Sequence, residues 1–442
     1  MNIFVAGGGR VGFHLARLLS TENHDVTVIE DLASQVETVD YALDVSTVDG
    51  DCVSVMLLQE LNVGDADLFI SATGSDEVNI IAAATAKGLG AKKVVARVDH
   101  PVYVEGTILY ETIFGIDFIL SPEALAALEI VRYLEEPGIL STEEFGHGHV
   151  QILQMRVGTS STGGGRMLKD IEIPPGVLVG LICREGLTMI PHGDSSIETG
   201  DLVALIGTPK SIMEARKLFQ GDETAPEDVV IMGGSTIGLH LARMIEDNTR
   251  SVKLFDWDLA TCNELAEKLK RAKVVCRDGT SRNALESEHV DRADVFISAT
   301  SDDERNIMAG VLAEEVGAKR TIAVVHQPDF APLVRRLGID HAVTPRASIA
   351  NRILKLIHQK DTTSLTIMQE GQVEILEFVL TGRASVMGRS LKDVRFPRGA
   401  LVASILRGEQ VIVPRGDDEF RAGDSVIVIT TPEALDAVKK LF

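Results

Sequence analysis

Three observations predict an α/β chain built on two doubly wound parallel sheets, each followed by a small β-rich α+β domain. Short apolar runs alternate with amphipathic stretches, a glycine turn follows the first run, and the whole pattern occurs twice in 442 residues. A chain of this length exceeds one ordinary core and suggests two to four domains.

The opening residues 1–6 read as a buried strand, and they run straight into Gly7-Gly8-Gly9-Arg10-Val11-Gly12 and an amphipathic stretch over 14–19. This is the G-x-G-x-x-G turn between strand and helix. Gly7 permits the tight turn, Gly9 lets backbone approach a pyrophosphate, and Gly12 lets the new helix lie close to the sheet. A helix N-terminus then offers free backbone N–H groups to an anion. The second strand, 25–30, ends in Glu30, eighteen residues after Gly12, where a Rossmann-type domain holds a ribose hydroxyl. A purely structural glycine turn is the alternative, and the strand, the helix and the acid around it favour nucleotide binding.

The alternation continues. Residues 32–39 read as helix, 41–45 with Val48 as strand, 52–61 as helix, and 67–73 as strand. An alanine-rich helix is expected over 77–88, then strands over 93–97 and 116–120 before Pro122. In such a sheet the ligand crevice lies beyond the C-terminal strand ends, where Gly7 to Gly12, Glu30 and Thr73 fall. From about Ser141 the texture changes to short β-rich runs (150–157, 177–183, 201–206) and a closing helix over 211–219. The polar stretch 220–226 reads as a linker.

The pattern then repeats. Gly7 recurs as Gly233 and Gly12 as Gly238, both 226 positions on. Strand 252–256 again ends in an acid, Asp256, eighteen residues after the last glycine. Phe69-Ile-Ser-Ala-Thr73 recurs as Phe296-Ile-Ser-Ala-Thr300, and Asn79 as Asn306, at an offset of 227. In the β-rich part Leu168-Lys-Asp170, Pro191 and Gly200-Asp201 recur as Leu391-Lys-Asp393, Pro414 and Gly423-Asp424, at an offset of 223. The expected domains are 1–135, 141–221, 227–358 and 364–442. The copies differ at the turn: Ser235 replaces the middle glycine and Thr236 replaces Arg10. A serine Cβ adds bulk where a pyrophosphate passes, so the first copy is expected to bind more tightly, with the second either degenerate or specific for a different nucleotide.

Composition excludes several classes. The net charge is −22, from 43 Lys+Arg against 65 Asp+Glu, which argues against nucleic acid and against a basic patch on anionic lipid. Cys52, Cys183, Cys262 and Cys276 stand far apart with no C-x-x-C pair, so neither a zinc site nor a disulfide framework is indicated, and a reducing cytoplasm fits. No secretory leader pattern opens the chain, and no stretch reaches roughly eighteen uninterrupted apolar residues. The expectation is a chain that neither crosses a membrane nor is exported. His147 and His149 form an isolated H-x-H pair in a glycine-rich junction, a solvated loop rather than a metal site.

The order G-G-G-R-V-G, V-T-V-I-E, Gly50-Asp51, A-D-x-F-I-S-A-T, D-E-V-N and V-A-R, followed by L-K-D, P-P-G and a late G-D, resembles the RCK (regulator of potassium conductance) family. Two such units in one chain resemble its TrkA-type members, the nucleotide-binding subunits of Trk potassium-uptake systems. The resemblance covers both halves end to end. It implies two Rossmann-like RCK N-terminal domains, each followed by an RCK C-terminal domain. It also implies a non-enzymatic regulatory subunit that binds NAD(H), or alternatively ATP/ADP, on the inner face of the cell membrane. The implied partners are a Trk-type membrane potassium-translocating subunit and further copies of the chain, as dimer or tetramer.

The same resemblance implies residue roles. Gly7, Gly8, Gly9, Arg10, Val11 and Gly12 hold the diphosphate, with Arg10 supplying charge-assisted contacts. Glu30 takes the adenosine ribose and repels a 2′-phosphate, and Asp51 reads the adenine edge. Thr73, Gly74 and Arg97 line the rest of the cleft. The matching positions in the second copy are Gly233, Gly238, Asp256, Asp278, Thr300 and Ser301, with Arg277 standing where the family has a glycine. Bland readings remain open: Asp51 as the N-cap of its helix, and Arg97 as the partner of Asp99. A dehydrogenase is the competing class. It needs a general acid or base beside the nicotinamide, and the β-rich domains offer none.

Overall fold

The computed structural model describes residues 1–22, 24–136, 138–184, 186–221, 225–358, 365–368, 373–382 and 384–442. Residues 222–224 of the expected linker, residue 364 at the start of the fourth expected domain, and the side chain of His147 lie outside the described residues. The chain forms two compact units, Met1–Arg132 with Pro226–Leu354, and Tyr133–Ala225 with Lys355–Phe442. Among the described residues no helix is long and apolar enough to cross a membrane.

The first unit contains two copies of one lobe. In the first, β1 (Asn2–Ala6), α1 (Arg10–Thr21), β2 (Asp25–Glu30), α2 (Ala33–Ala42), β3 (Ser46–Asp49), α3 (Val55–Glu60), β4 (Leu68–Ser71) and α4 (Asp76–Leu89) follow in turn. They continue as β5 (Lys93–Arg97), α5 (Pro101–Glu105), α6 (Thr107–Phe114), β6 (Phe118–Leu120) and α7 (Pro122–Glu135). The six strands are parallel in the order β3-β2-β1-β4-β5-β6. The chain starts in mid-sheet and winds outward both ways, so a crevice opens at the C-terminal ends of β1 and β4. Phe69 in β4 is wholly buried, a contribution of about 2–3 kcal/mol. Ala82, Ala83 and Ala86 of α4 are also fully buried, which lets that helix lie close on the sheet. Ser75 caps α4 by accepting from the Val78 N–H, and Gly90, at φ +121°, ends it.

The expected strand over 41–45 is not formed. Tyr41 lies in the last turn of α2 and is 96% exposed, and β3 begins at Ser46. Tyr41 and Ala42 belong to an exposed helix end, and Leu43 and Val45 lie beyond it, half-buried but outside any strand.

The antiparallel domains form the second unit. The first contributes β7 (Ile139–Phe145), β8 (Val150–Arg156), β9 (Arg166–Met167), β10 (Val177–Arg184), β11 (Leu187–Met189), β12 (Ser196–Ile197), β13 (Leu202–Gly207) and α8 (Pro209–Phe219). Its main sheet has the order β11-β10-β13-β8-β7. The buried carboxylate of Asp201 is gripped bidentately by Arg184, both bonds 2.8 Å, and this explains the late G-D of the repeat.

The second lobe of the first unit repeats the plan with β14 (Asp228–Met232), α9 (Thr236–Ile245), β15 (Ser251–Asp256), α10 (Leu259–Lys268), β16 (Lys273–Cys276), α11 (Arg282–Ser287) and β17 (Val295–Ser298). It ends with α12 (Asp303–Val316), β18 (Thr321–Val324), α13 (Ala331–Arg336), β19 (His341–Val343) and α14 (Pro345–His358). The strand order β16-β15-β14-β17-β18-β19 matches the first lobe's. The last domain has β20 (Leu365–Met368), β21 (Val373–Val379), β22 (Ala400–Arg407), β23 (Gln410–Ile412), β24 (Ser425–Thr430) and α15 (Leu435–Lys439). Within the second unit the two antiparallel sheets share one core, in which Ile152, Leu181 and Ile206 pack with Ile375, Ala403 and Ile429. Gly180 lies in this core, where a Cβ would come 2.3 Å from Ile206 Cδ1 and 2.7 Å from Ile429 Cδ1, so those side-chain ends would have to shift.

Candidate nucleotide clefts

The three fingerprint glycines have different physical causes. Gly7 has φ +100°, and a Cβ on it would lie 2.9 Å from Ala72 O and Thr73 N. Gly12 packs its helix onto the turn, so a Cβ would lie 1.9 Å from Gly7 O. Gly9 differs from both: its φ of −66° suits any residue, and no protein atom lies within 4 Å of where its Cβ would be. The fold itself demands Gly7 and Gly12 and leaves the space over Gly9 open. Gly9 is also the N-cap of α1 and lends no side chain to the helix's first N–H groups, and no acid stands in the first turn.

Glu30 ends β2 and is 8% exposed. Its Oε2 accepts from the Gly8 N–H at 2.5 Å, and its Oε1 accepts from Asp31 and Leu32 N–H at 3.1 and 3.0 Å. The acid thus fastens the glycine turn to the end of the second strand. Asp256 does the same in the second lobe, accepting from Gly234 N–H at 2.7 Å and Asp258 N–H at 2.8 Å.

Asp51 is exposed and accepts from the Val53 N–H at 3.0 Å. The N-cap of α3 is Ser54, whose side chain accepts from Leu57 N–H, so Asp51 is not the cap of that helix. Asp278 bonds Thr280 in the corresponding way and also pairs with Arg305 at 2.8 Å. Val78 occupies the position of Arg305 in the first lobe. The first lobe's acid therefore faces no such cation.

Thr73 and Gly74 follow β4 at the crevice. Thr73 is held by Asn79, which is fully buried: Oδ1 accepts from Thr73 N–H and Oγ1, each at 2.7 Å, and Nδ2 donates to Thr73 O and Arg97 O at 3.2 and 3.0 Å. Asn306 repeats this network around Thr300 and Val324. The repeat exposed Asn79 as a marker, but its task, tying two strand ends together, needs the topology. Arg97 donates to Thr73 O at 3.1 Å and pairs with Asp99. The pairing reading of Arg97 thus describes this structure.

Behind that pair stands Glu123, a group the sequence reading missed. Burial and then the Asp99 carboxylate push its carboxyl up to about 7, against the opposing pull of Arg97. Between the ordinary carboxylate range and about 7 the folded chain holds this proton while the unfolded chain has released it, so stability falls as pH rises through that window. Glu123→Gln is expected to remove that slope and to exceed the parent in stability at pH 8 by about 1–3 kcal/mol. Urea unfolding at pH 5, 6, 7 and 8 checks it; a parallel slope in both proteins would refute the assignment.

The second turn is closed differently. Ser235 caps α9, accepting from the Gly238 N–H at 3.2 Å, while its hydroxyl bonds Ala299 O. The side chain thereby occupies a helix N–H that Gly9 leaves open in the first lobe. Arg10 opens α1 and lines a polar cavity of about 760 Å³ together with His14 and Arg17 of the same helix and Asp303, His326 and Arg346 of the second lobe. Burial and the charge of Arg10 hold Arg346 below the usual arginine range, while burial, Arg17 and Arg346 lower His14. Among the described residues no group of three or more His, Cys, Asp or Glu is placed to hold a metal ion.

Comparison with known proteins matches two domain families along the chain. The TrkA-N domain matches residues 3–122 and 229–345, and the TrkA-C domain matches 152–220 and 375–442. "Trk system potassium uptake protein TrkA homolog 2" of Methanosarcina mazei is 33% identical over 100% of both chains. The TrkA homolog of Archaeoglobus fulgidus is 31% identical, again over the full length of both, and TrkA of Halomonas elongata is 31% identical over 100% of this chain and 98% of its own. Among solved structures, the GsuK channel bound to NAD superposes with a TM-score of 0.64 at 21% identity, covering 100% of this chain and 78% of that one. GsuK bound to ADP gives 0.52 at 18%, covering 81% and 70%.

Proposed function

The chain belongs to the family that carries TrkA-N and TrkA-C domains, here in two tandem pairs, and on that premise we propose that it is a nucleotide-sensing regulatory subunit of a Trk-type potassium-uptake system. The observation that carries the reading is the open turn of the first lobe. Gly9 is a glycine that the fold does not require, at an uncapped helix N-terminus, beside an acid that shapes the ribose side. Those are the elements an adenosine diphosphate moiety needs. The roles given to Gly7 through Gly12, Glu30, Asp51, Thr73, Gly74 and Arg97, and to Gly233, Gly238, Asp256, Asp278 and Thr300, are part of this proposal, as is the four-domain division.

In this reading NAD(H) binds the first cleft, the chain performs no chemistry on it, and a membrane potassium-translocating partner reads the occupancy. Nucleotide drives gating only through its affinity difference between two states of the assembly. Homo-oligomerisation, as dimer or tetramer, would sum those differences. A relative's solved complex with NAD supports this ligand by analogy of fold. A second reading, control by ATP/ADP, is favoured by one feature: Arg10, Arg17 and Arg346 line one cavity, more guanidinium charge than a dinucleotide's two phosphates require. Vesicles carrying a Trk-type membrane subunit test the proposal. Potassium flux should depend on added chain and change with NADH, NAD⁺, ATP or ADP; flux indifferent to the chain would overturn it.

A further inference from the structure

Sequence spacing keeps the four cysteines apart, yet the second lobe brings two of them together. Cys262 is buried in α10, and its thiol donates to the carbonyl of Asp256 at 3.4 Å. Cys276 ends β16, is exposed, and is the register partner of Asp256 across the parallel pair β15/β16. Both cysteines thus stand beside Asp256, and the neighbouring Cys276 thiol is among the groups that raise Cys262. One sulfur is open to solvent and the other lies behind it, against the backbone of the acid that shapes this cleft.

The remaining thiols and the first lobe supply built-in controls. Cys52 and Cys183 are buried. Cys52 is pushed up to about 11, chiefly by burial and then by Asp51. At the matching positions the first lobe has Val36 and Asp49, and Asp49 is the register partner of Glu30 as Cys276 is of Asp256. Only one of the two clefts carries the pair.

We propose that Cys262 and Cys276 are an oxidant-sensitive dithiol at the adenosine end of the second cleft, closing to an intrachain disulfide by exchange with a low-molecular-weight disulfide. The exposed Cys276 thiolate attacks the external S–S bond and expels one thiolate, forming a mixed disulfide. Cys262 then loses its proton to solvent and attacks the Cys276 sulfur, expelling the second thiolate. Two protein thiols are oxidised by two electrons, and the external disulfide is reduced to two thiols. The bond ties α10 to β16 and removes the Cys262 hydrogen bond to Asp256, which narrows the ribose side. Burial, the Cys276 thiol and the Asp256 and Asp258 carboxylates hold Cys262 above the ordinary thiol range, so it is the resolving partner and not the attacking one.

The full-length protein is incubated with oxidised glutathione, its free thiols are alkylated, and the peptides are mapped. The expected product is a single crosslinked peptide joining Cys262 and Cys276, with Cys52 and Cys183 alkylated only after unfolding, and reversal by dithiothreitol. Cys262→Ser should stop at the glutathione adduct on Cys276, and Cys276→Ser should leave Cys262 unmodified. Alkylation of both cysteines after oxidation, or arrest of the parent protein at the adduct, would overturn the proposal. In a Gly9→Val background, which silences the first cleft, oxidation should weaken nucleotide binding at the second at least tenfold, and Cys276→Ser should abolish that response. Unchanged affinity in the crosslinked protein would refute the coupling to the cleft. This last step rests on the nucleotide reading of the second lobe. That reading fails separately if the reduced protein takes up none of NADH, NAD⁺, ATP or ADP there.

Discussion

Gly9→Val is expected to lower nucleotide affinity at the first cleft by more than about 100-fold, or about 3 kcal/mol, while the free protein keeps its fold. No protein atom lies within 4 Å of the added Cβ, and the backbone there is extended, so valine meets nothing until a phosphate arrives. The cost to the free protein is that of a poor N-cap, about 1 kcal/mol or less. Gly12→Ala is the contrasting control. Its methyl would lie 1.9 Å from Gly7 O, so it loses binding by displacing α1, and its melting temperature falls with it. Calorimetric affinity and thermal melting, measured together on both variants, separate a ligand space from a packing space. Full affinity in Gly9→Val would mean that the fingerprint is structural only.

Glu30→Ala should reduce affinity for every adenosine nucleotide at least tenfold and also cost about 2–3 kcal/mol of stability. The stability loss follows from the three backbone N–H groups that the carboxylate serves, Gly8, Asp31 and Leu32, which alanine leaves without it. Glu30→Gln divides the two effects. Its carbonyl oxygen still accepts from part of the turn, so stability should recover in large part, and its lost charge should relax discrimination against a 2′-phosphate. Titration of NADH and NADPH against parent, Ala and Gln variants checks this. Equal affinities in all three would remove Glu30 from the ribose assignment.

What the sequence made legible was local or repeated. Gly7, Gly12, Glu30 and their counterparts Gly233, Gly238 and Asp256 stand at fixed spacings because strand, turn and helix are contiguous, and the doubled pattern corroborated each of them. The paired acids Asp201 and Asp424 were visible as late G-D motifs, although their arginines, Arg184 and Arg407, lie seventeen residues away and were not. The missed features are those that topology assembles. Asn79 reaches the ends of β4 and β5 only once those strands are neighbours. Glu123 meets Asp99 from α7, four elements further on. Cys262 and Cys276 meet because β15 and β16 are paired in a register that periodicity does not specify. Tyr41 misled for the opposite reason, an apolar residue left exposed at a helix end where pattern alone suggests burial.

The proposed function requires reversible nucleotide binding without turnover, and calorimetric titration of the purified protein with NADH, NAD⁺, ATP and ADP, each separately, tests it most directly. It predicts saturable binding that Gly9→Val removes from the first cleft, with the ligand recovered unchanged. Failure of all four to bind, or their consumption during the titration, would contradict it.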